Sequence, residues 1–462
     1  MDRVDTVSGD SVNGDMVNGD TFNGDSVNGN DIRPLRHWIS KHARSRPDRI
    51  ALVGEDFRGK RQQLCWSELL PAIASEAERR HRDVIDNRLI VQSDNSIGDV
   101  LALLAAMDRR WVHCPIDARL PDRIKQQRRA VLLGRTPHAG TQFVLWTSGT
   151  SVAGGTGGES PMSIGRAVCH REQTFWHNAA AKLAKVPQTV DDVRLTVLPI
   201  CHAYGRTCDI GTWLLSGCRL VVGLGGNAID RYVAEQSITL INMVPKLTSR
   251  LLAGPAIGSL RVVGVGGACL DPSTYQQLID RGHDVVQGYG LTETGPVICS
   301  ATPTDAVAGS VGGVVRGWTT RIVDQELSVA GPDLMLGYLD GPRLQPGQFF
   351  CTGDRVEISD RGQYRILGRT DDQITLPNGY TIDPVAIEQE FERTHPGLGP
   401  VMMTDRSEIW VSAPTPIDRW RSTTQPSAGW FRVVPHDPPL GCIEGEATIK
   451  GTLRRAVVRR RT

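Results

Sequence analysis

The sequence lacks a charge excess, long apolar runs and a signal-peptide core, and each absence excludes a class of protein. Its 462 residues carry a formal net charge of +1 at pH 7. That balance argues against a dedicated nucleic-acid binder, because such domains are usually strongly basic. No apolar run reaches about 18 residues, the length that a membrane span needs. The N-terminus has no apolar core typical of a signal peptide, so we expect a cytoplasmic protein.

Paired cysteine motifs are also missing. The 10 cysteines are scattered and form no Cys-x-x-Cys pair, the spacing typical of zinc sites and redox motifs. Several of them, such as Cys114, Cys218 and Cys299, stand in apolar sequence. Buried, reduced thiols therefore fit the sequence better than a disulfide scaffold does.

Residues 1–34 form a low-complexity tail. A five-residue unit recurs at 11–15, 16–20 and 21–25. Each unit holds an Asn-Gly step, which favours a turn, and one Val or Phe, which cannot build a core. We expect a disordered tail. The alternative is a small repeat structure or a partner-binding segment, although stacked repeats normally use longer units.

From Leu195 onwards short apolar segments alternate with helix-like segments. Candidate strands, rich in Val, Ile and Leu as buried parallel strands are, span residues 194–198, 219–223, 239–244, 261–265 and 284–287. Residues 271–281 are typical of an intervening helix, with Asp271 as N-cap and Pro272 in the first helical position. This succession predicts an α/β fold with a parallel-rich sheet and right-handed crossovers.

The pattern changes towards the C-terminus and predicts a second domain. Beyond Gly331 short strands and turns replace the alternation, and the last segment holds a helix-like stretch at 383–393 and a basic end at 451–461. That segment is long enough for a small domain. We expect a large N-terminal domain over residues 35–370, with parallel-rich sheets and helices, and a small mobile α+β domain over residues 371–462.

Polar and glycine-rich segments follow the predicted strands. Ligands of parallel sheets bind at the carboxyl ends of the strands, where the sequence places residues 199–202, 266–268 and 288–294. In the last of these, Gly-Tyr-Gly-Leu-Thr-Glu-Thr, Thr292 and Glu293 stand side by side. A hydroxyl and a carboxylate so placed can hold a phosphate and the Mg²⁺ that neutralises it.

A glycine-rich loop follows the apolar run 143–146. Its hydroxyls and bare backbone N–H groups can wrap phosphate oxygens, and an ordinary flexible loop is the alternative. The residues that would do so are Thr147, Ser148, Gly149 and Thr150.

Together with Thr352-Gly353-Asp354 and the stretch 368–372, these motifs resemble the adenylate-forming superfamily of acyl-CoA synthetases, adenylation domains and luciferases. The resemblance runs from about Leu35 to the C-terminus. It implies an enzyme that uses ATP and Mg²⁺ to activate a carboxylic acid, expected to be aromatic, and transfers it to coenzyme A. A carrier-protein thiol is the alternative acceptor, and a non-catalytic nucleotide-binding descendant is the alternative to an enzyme. The compact length is most similar to that of the o-succinylbenzoate–CoA ligases of menaquinone biosynthesis.

The resemblance also implies roles for individual residues. Thr292 would contact the α-phosphate, Glu293 would hold the metal, and His202 would lie beside the acyl pocket unless it is only structural. Asp354 and Arg369 would bind the ribose. The adenine site would comprise Gly266, Gly267, Ala268, Tyr289 and Gly290.

Two of the departures from the superfamily pattern concern candidate site residues. Arg166 stands where the phosphate loop usually has a Lys, after an apparent insertion at 151–164. The C-terminal Lys450 is the expected catalytic lysine, although it follows Ile449 rather than Gly. A register aligned on Gly451 would instead place Thr452 there. Asp371 matches the hinge at which the small domain would reorient.

Overall fold

The computed structural model describes residues 34–56, 59–147, 164–223, 225–255, 257–370, 372–376, 381–382, 384–395, 397–398, 401–404, 407–423, 425, 428 and 430–435. Their α-helices are α1 Pro34–Ser45, α2 Trp66–Arg80, α3 Ile97–Arg109, α4 Asp122–Gly134, α5 Glu172–Lys185, α6 Ala203–Gly205, α7 Thr212–Ser216, α8 Gly225–Glu235, α9 Pro245–Ala253, α10 Pro272–Asp280 and α11 Pro384–Thr394. A π-helical turn, Arg206–Gly211, joins α6 to α7, and His81–Asp83 and Thr292–Thr294 are 3₁₀ turns.

The strands of the same residues are β1 Ile50–Glu55, β2 Arg61–Cys65, β3 Val84–Ile85, β4 Arg88–Ser93, β5 Val112–Asp117, β6 Phe143–Trp146, β7 Ala167–His170, β8 Val193–Thr196, β9 Arg219–Val222, β10 Leu240–Met243, β11 Val262–Val265, β12 Asp284–Tyr289, β13 Cys299–Ser300, β14 Gly313–Val314, β15 Thr319–Val323, β16 Glu326–Ala330, β17 Gly337–Tyr338, β18 Phe350–Ile358, β19 Tyr364–Arg369, β20 Ile374–Thr375, β21 Thr381–Ile382, β22 Val401–Met403, β23 Glu408–Val411, β24 Arg419–Trp420 and β25 Phe431–Pro435.

The largest sheet of the described residues has nine strands in the order β14-β13-β12-β11-β10-β8-β9-β1-β2. Its centre, from β12 to β1, is parallel, and antiparallel strands flank it on both sides. The five predicted strands are confirmed as β8 to β12, and they are mutual neighbours. Their Val- and Ile-rich runs are buried because helices cover both faces of such a sheet.

The helix before β12 begins as the sequence predicts. The Asp271 carboxylate accepts a hydrogen bond from the Thr274 N–H, and Pro272 occupies the first turn of α10. A cap of this kind stabilises a helix by about 1 kcal/mol because it satisfies an otherwise unpaired N–H group.

A second sheet, of order β17-β7-β6-β5-β4-β3, lies beside the first in the large part of the chain. The antiparallel pairing of β7 with β17 sets Tyr338 opposite Val168. A third sheet of order β15-β16-β18-β19 is antiparallel and sets Asp354 opposite Arg369. Both pairings bring residues far apart in sequence to the candidate site.

The described residues beyond β19 have a hydrophobic core of their own. Phe391 of α11 and Phe431 of β25 are fully buried in it, with side chains from β22 and β23. The predicted helix at 383–393 is confirmed as α11.

Elsewhere Cys114, Cys218 and Cys299 are buried free thiols, as predicted. Every helix in the described ranges is too short or too polar to cross a membrane.

Candidate active site

The carboxyl ends of the parallel strands open onto a cleft with an empty volume of about 630 Å³. The segments that follow β8, β11 and β12 meet there, because parallel neighbours end at the same edge of a sheet. Several residues predicted from the sequence line this cleft: His202, Gly266, Gly267, Tyr289, Gly290 and Thr292. The sequence predicts that these residues lie together at one edge of the sheet, and the fold brings them together there.

Glycines keep one wall of the cleft free of side chains. A Cβ atom at Gly290 would overlap the carbonyl oxygen of Pro296, so a larger residue cannot make this turn. A Cβ atom at Gly266 would lie 3.1 Å from the ring of Tyr204. Ala268 is exposed beside them and is outside the residues that line the cleft. A flat ring can therefore approach the backbone at the two glycines.

Tyr289, Asp354 and Arg369 form a hydrogen-bonded cluster. The Tyr289 hydroxyl donates to Oδ2 of Asp354 over 2.5 Å, and Nη1 of Arg369 lies 3.5 Å from Oδ1 of the same carboxylate. Burial, and then the Asp354 charge, raise the pKa of Tyr289 well above its ordinary value, so it stays a donor. Tyr289, from the adenine set implied by the resemblance, is thus connected to both residues of the ribose set.

The Thr292–Thr294 turn is held in place through its main chain. Nε2 of His170 lies 2.6 Å from the Thr292 carbonyl oxygen, and the Met335 N–H donates to the Glu293 carbonyl oxygen over 2.8 Å. Burial lowers the pKa of His170 to about 4, so the ring is neutral and donates from Nε2. These contacts leave the side chains of Thr292 and Glu293 half-exposed and available to a ligand.

Tyr338 connects Glu293 to the start of the phosphate loop. Its hydroxyl donates to Oε1 of Glu293 over 2.8 Å, and the Arg166 guanidinium stacks on its ring at 3.1 Å. The backbone N–H of Arg166 donates to the Thr147 hydroxyl over 2.9 Å. Sequence reasoning missed Tyr338, because only the pairing of β7 with β17 brings it to Arg166.

His202 lies at the other side of the cleft. Its Nε2 atom is 3.7 Å from Oδ2 of Asp117, which also accepts hydrogen bonds from Arg119. Burial alone would raise the pKa of Asp117, but the hydrogen bonds from Arg119 and the nearby His202 ring hold it below its ordinary value. The anionic Asp117 therefore orients the His202 ring at the cleft wall.

Sequence reasoning missed several residues that line the cleft. They come from α5, from the helical run after His202 and from β13, and they include Lys182, Tyr204, Cys208, Cys299 and Ser300. The helical pattern of residues 172–185 could have placed Lys182 on the buried face with Phe175 and Asn178. That pattern could not have shown which cavity the face adjoins.

Other predicted residues lie outside the described ranges. They are Ser148, Gly149, Thr150, Asp371 and Lys450, with most of the insertion at 151–164. Their roles stay predictions.

Part of the chain matches a known family of enzymes. Residues 163–339 match the family model described as AMP-binding enzyme. The chain is 30% identical over 254 residues to the 2-succinylbenzoate–CoA ligase of Salmonella typhimurium, over 54% of this chain and 52% of that protein. It is 26% identical over 398 residues to the ligase of the same name from Escherichia coli, over 79% of this chain and 82% of that protein. Over the first three curated relatives the match spans about half of the relative's length or less.

Solved structures share the fold. The o-succinylbenzoate CoA synthetase of Bacillus subtilis, solved with its acyl-adenylate intermediate, superposes with a TM-score of 0.73 over 91% of this chain and 97% of that chain. The two sequences are 17% identical, so this likeness concerns the fold alone. The family match over residues 163–339 and this shared fold are both similar to what the adenylate-forming motifs predict.

Proposed function

We propose that this protein is an ATP-dependent, AMP-forming acid–thiol ligase. One observation carries the proposal: Thr292, which precedes Glu293, and Tyr289, which is hydrogen-bonded to Asp354, line one cleft at the carboxyl ends of parallel strands. A carboxylate oxygen would attack the α-phosphorus of ATP, and pyrophosphate would leave. A thiol sulfur would then attack the acyl carbon of the adenylate, giving a thioester and releasing AMP.

The nucleotide would lie against the glycine wall. The Tyr289 ring would cover the adenine face, while ribose hydroxyls would donate to Asp354. The carboxylate already accepts the Tyr289 hydroxyl and lies near Arg369. Since both neighbours orient it, the carboxylate is prepared to accept further hydrogen bonds.

The phosphates would lie between Thr292, Thr147 and Arg166. Glu293 suits Mg²⁺, because that ion takes oxygen ligands and usually keeps only one or two carboxylates from the protein. When bound, the ion would neutralise phosphate charge. The guanidinium of Arg166, stacked on Tyr338, would replace the lysine of the usual phosphate loop, and its planar fork can bind two phosphate oxygens.

The small C-terminal domain would complete the site. Lys450 would offset the charge that develops on the carboxylate and the α-phosphate as the adenylate forms. The incoming thiol needs that same space, so the domain would reorient about Asp371 between the two steps. We also propose that the large domain ends at residue 370, that the small domain begins at residue 371, and that the protein is cytoplasmic.

The narrower proposal is that the acid is o-succinylbenzoate and the thiol is coenzyme A. It is supported by the compact chain and by the names of the relatives reported above. Pyrophosphate release from ATP should be measured with a panel of aryl, succinyl-aryl and fatty acids. We expect release that depends on an acid, fastest with a succinyl-aryl acid.

The acceptor is tested separately. Adding free coenzyme A to the preferred acid should give a thioester and AMP. If adenylate accumulates and coenzyme A accepts nothing, a carrier-protein thiol is the acceptor. ATP binding without acid-dependent pyrophosphate release would contradict the ligase and identify a non-catalytic nucleotide-binding protein.

A further inference from the structure

A buried lysine that the mechanism above does not use lines the cleft. Lys182 lies on α5, is 5% exposed, and donates from Nζ to the Ser300 hydroxyl over 2.9 Å. Asn178, one turn earlier on α5, fixes the helix against the chain after β12, because its Oδ1 accepts the Val297 N–H over 2.8 Å. The ammonium is therefore held at the cleft wall by a rigid element.

The charge of Lys182 has no carboxylate partner among the described residues. An ammonium has three donors, and Ser300 takes one of them. The carboxylate that influences it, Asp209, already accepts hydrogen bonds from Arg194 at 2.8 Å and from Thr196 and Asn242 at 2.7 Å. Two donors of Lys182 are left without a protein acceptor in this part of the chain.

The nearby thiols do not supply a counter-charge. Burial raises the pKa of Cys208 to about 12 and that of Cys299 further still, so both are neutral. Burial lowers the pKa of Lys182 to about 8, which still leaves it mostly charged at neutral pH. A buried cation without an anion destabilises a fold, and its position in a cavity wall indicates that a ligand provides the anion.

Lys182 lies within one substrate length of the reacting end of the cleft. Ser300, its hydrogen-bond partner, is paired with Gly288 across β12 and β13. Thr292 follows Gly288 by four residues, so at most about 14 Å of chain separates the two. One small molecule can therefore touch Thr292 with one end and Lys182 with the other.

We infer that Lys182 selects acids that carry a second carboxylate, which its ammonium binds together with Ser300 while the first carboxylate reacts near Thr292. This inference rests on the proposed ligase function. It assigns the substrate class, a dicarboxylic acid, to a particular residue. An acid with an apolar far end would instead leave the ammonium desolvated and unpaired, at a cost in affinity.

The test compares a diacid with its monoamide, in which the far carboxylate is replaced by an uncharged group of similar size. The wild-type protein should adenylate the diacid with the higher kcat/KM. Lys182→Met should lower the diacid-to-monoamide ratio of kcat/KM by about 30-fold or more, the loss typical of a broken buried charge pair. Lys185→Met, three residues later on α5 and outside the cleft lining, should leave the ratio unchanged. An unchanged ratio in Lys182→Met overturns the inference.

Two further measurements keep the test decisive. Removing a buried charge should not lower the melting temperature, so a clear fall in Lys182→Met would show a structural role and contradict the inference. Binding of the diacid without ATP, measured by calorimetry, separates the two proposals. If no acid releases pyrophosphate but diacid binding is lost in Lys182→Met, the ligase proposal fails, whereas the binding of a carboxylate by Lys182 stands. Equal binding by wild type and variant overturns it.

Discussion

The charge of Glu293 can be removed without disturbing its hydrogen bond. The Tyr338 hydroxyl donates to Oε1 of Glu293 over 2.8 Å. In Glu293→Gln the amide oxygen can keep this contact, so the fold should be unaffected while the negative charge is lost. If that charge holds Mg²⁺ at the phosphates, we expect the transition state for adenylation to lose about 2–4 kcal/mol, which is a fall in kcat/KM of about 30- to 10³-fold.

The assay is pyrophosphate release at saturating acid over a range of Mg²⁺ concentrations. Glu293→Gln should need more Mg²⁺ for half-maximal rate, because one anionic ligand is gone. Tyr338→Phe is the matched control: it removes the hydrogen bond but keeps both the carboxylate and the ring beneath Arg166. It should lower kcat/KM less than Glu293→Gln does and should leave the Mg²⁺ requirement nearly unchanged. Wild-type rates for Glu293→Gln at every Mg²⁺ concentration would refute the metal role.

The remaining predictions concern the ribose cluster, acid stability and the small domain. Asp354→Asn should raise KM for ATP by about 10-fold or more. Tyr289→Phe leaves the carboxylate in place and should raise this KM less. Equal KM values for Asp354→Asn and the wild type would contradict the ribose role of Asp354. His170 has a folded-state pKa of about 4 against an ordinary 6.5, so stability is present above pH 6.5 and is lost as pH falls towards 4, by up to about 3 kcal/mol. His170→Gln can still donate to the Thr292 carbonyl, so its free energy of unfolding, measured by chemical denaturation at each pH, should fall less as the pH falls towards 4. An equal fall in the variant and the wild type would contradict this role of His170. Lys450→Ala should abolish adenylation yet still convert supplied acyl-adenylate to thioester. Asp371→Pro, which restricts φ, should keep adenylation and lose thioester formation. Wild-type adenylation by Lys450→Ala would contradict the catalytic role of Lys450.

The central sheet was predictable because burial on both faces leaves a local signature. The strands β8 to β12 are short Val- and Ile-rich runs, and their parallel order follows from the helices between them. Since ligands bind at the carboxyl ends of such strands, the sequence alone places His202, Gly266 and Thr292 at one cleft. Each of these inferences needs only neighbouring residues.

Contacts between distant segments could not be predicted in this way. Tyr338 reaches Arg166 through the pairing of β7 with β17, and Lys182 reaches Ser300 through the packing of α5 beside β13. Neither residue belongs to a motif, and a single Tyr or Lys on an amphipathic element is ordinarily a packing or surface residue. Their roles depend on which cavity they face, and that is a property of the tertiary fold.

The most direct test of the central claim is the identity of the nucleotide product. ATP labelled at the α-phosphate should be incubated with Mg²⁺, coenzyme A and each acid of the panel, and the labelled products should be separated. The account predicts labelled AMP in amounts equal to thioester and pyrophosphate, formed only when an acid is present. Labelled ADP, or AMP formed at the same rate without acid, would contradict it.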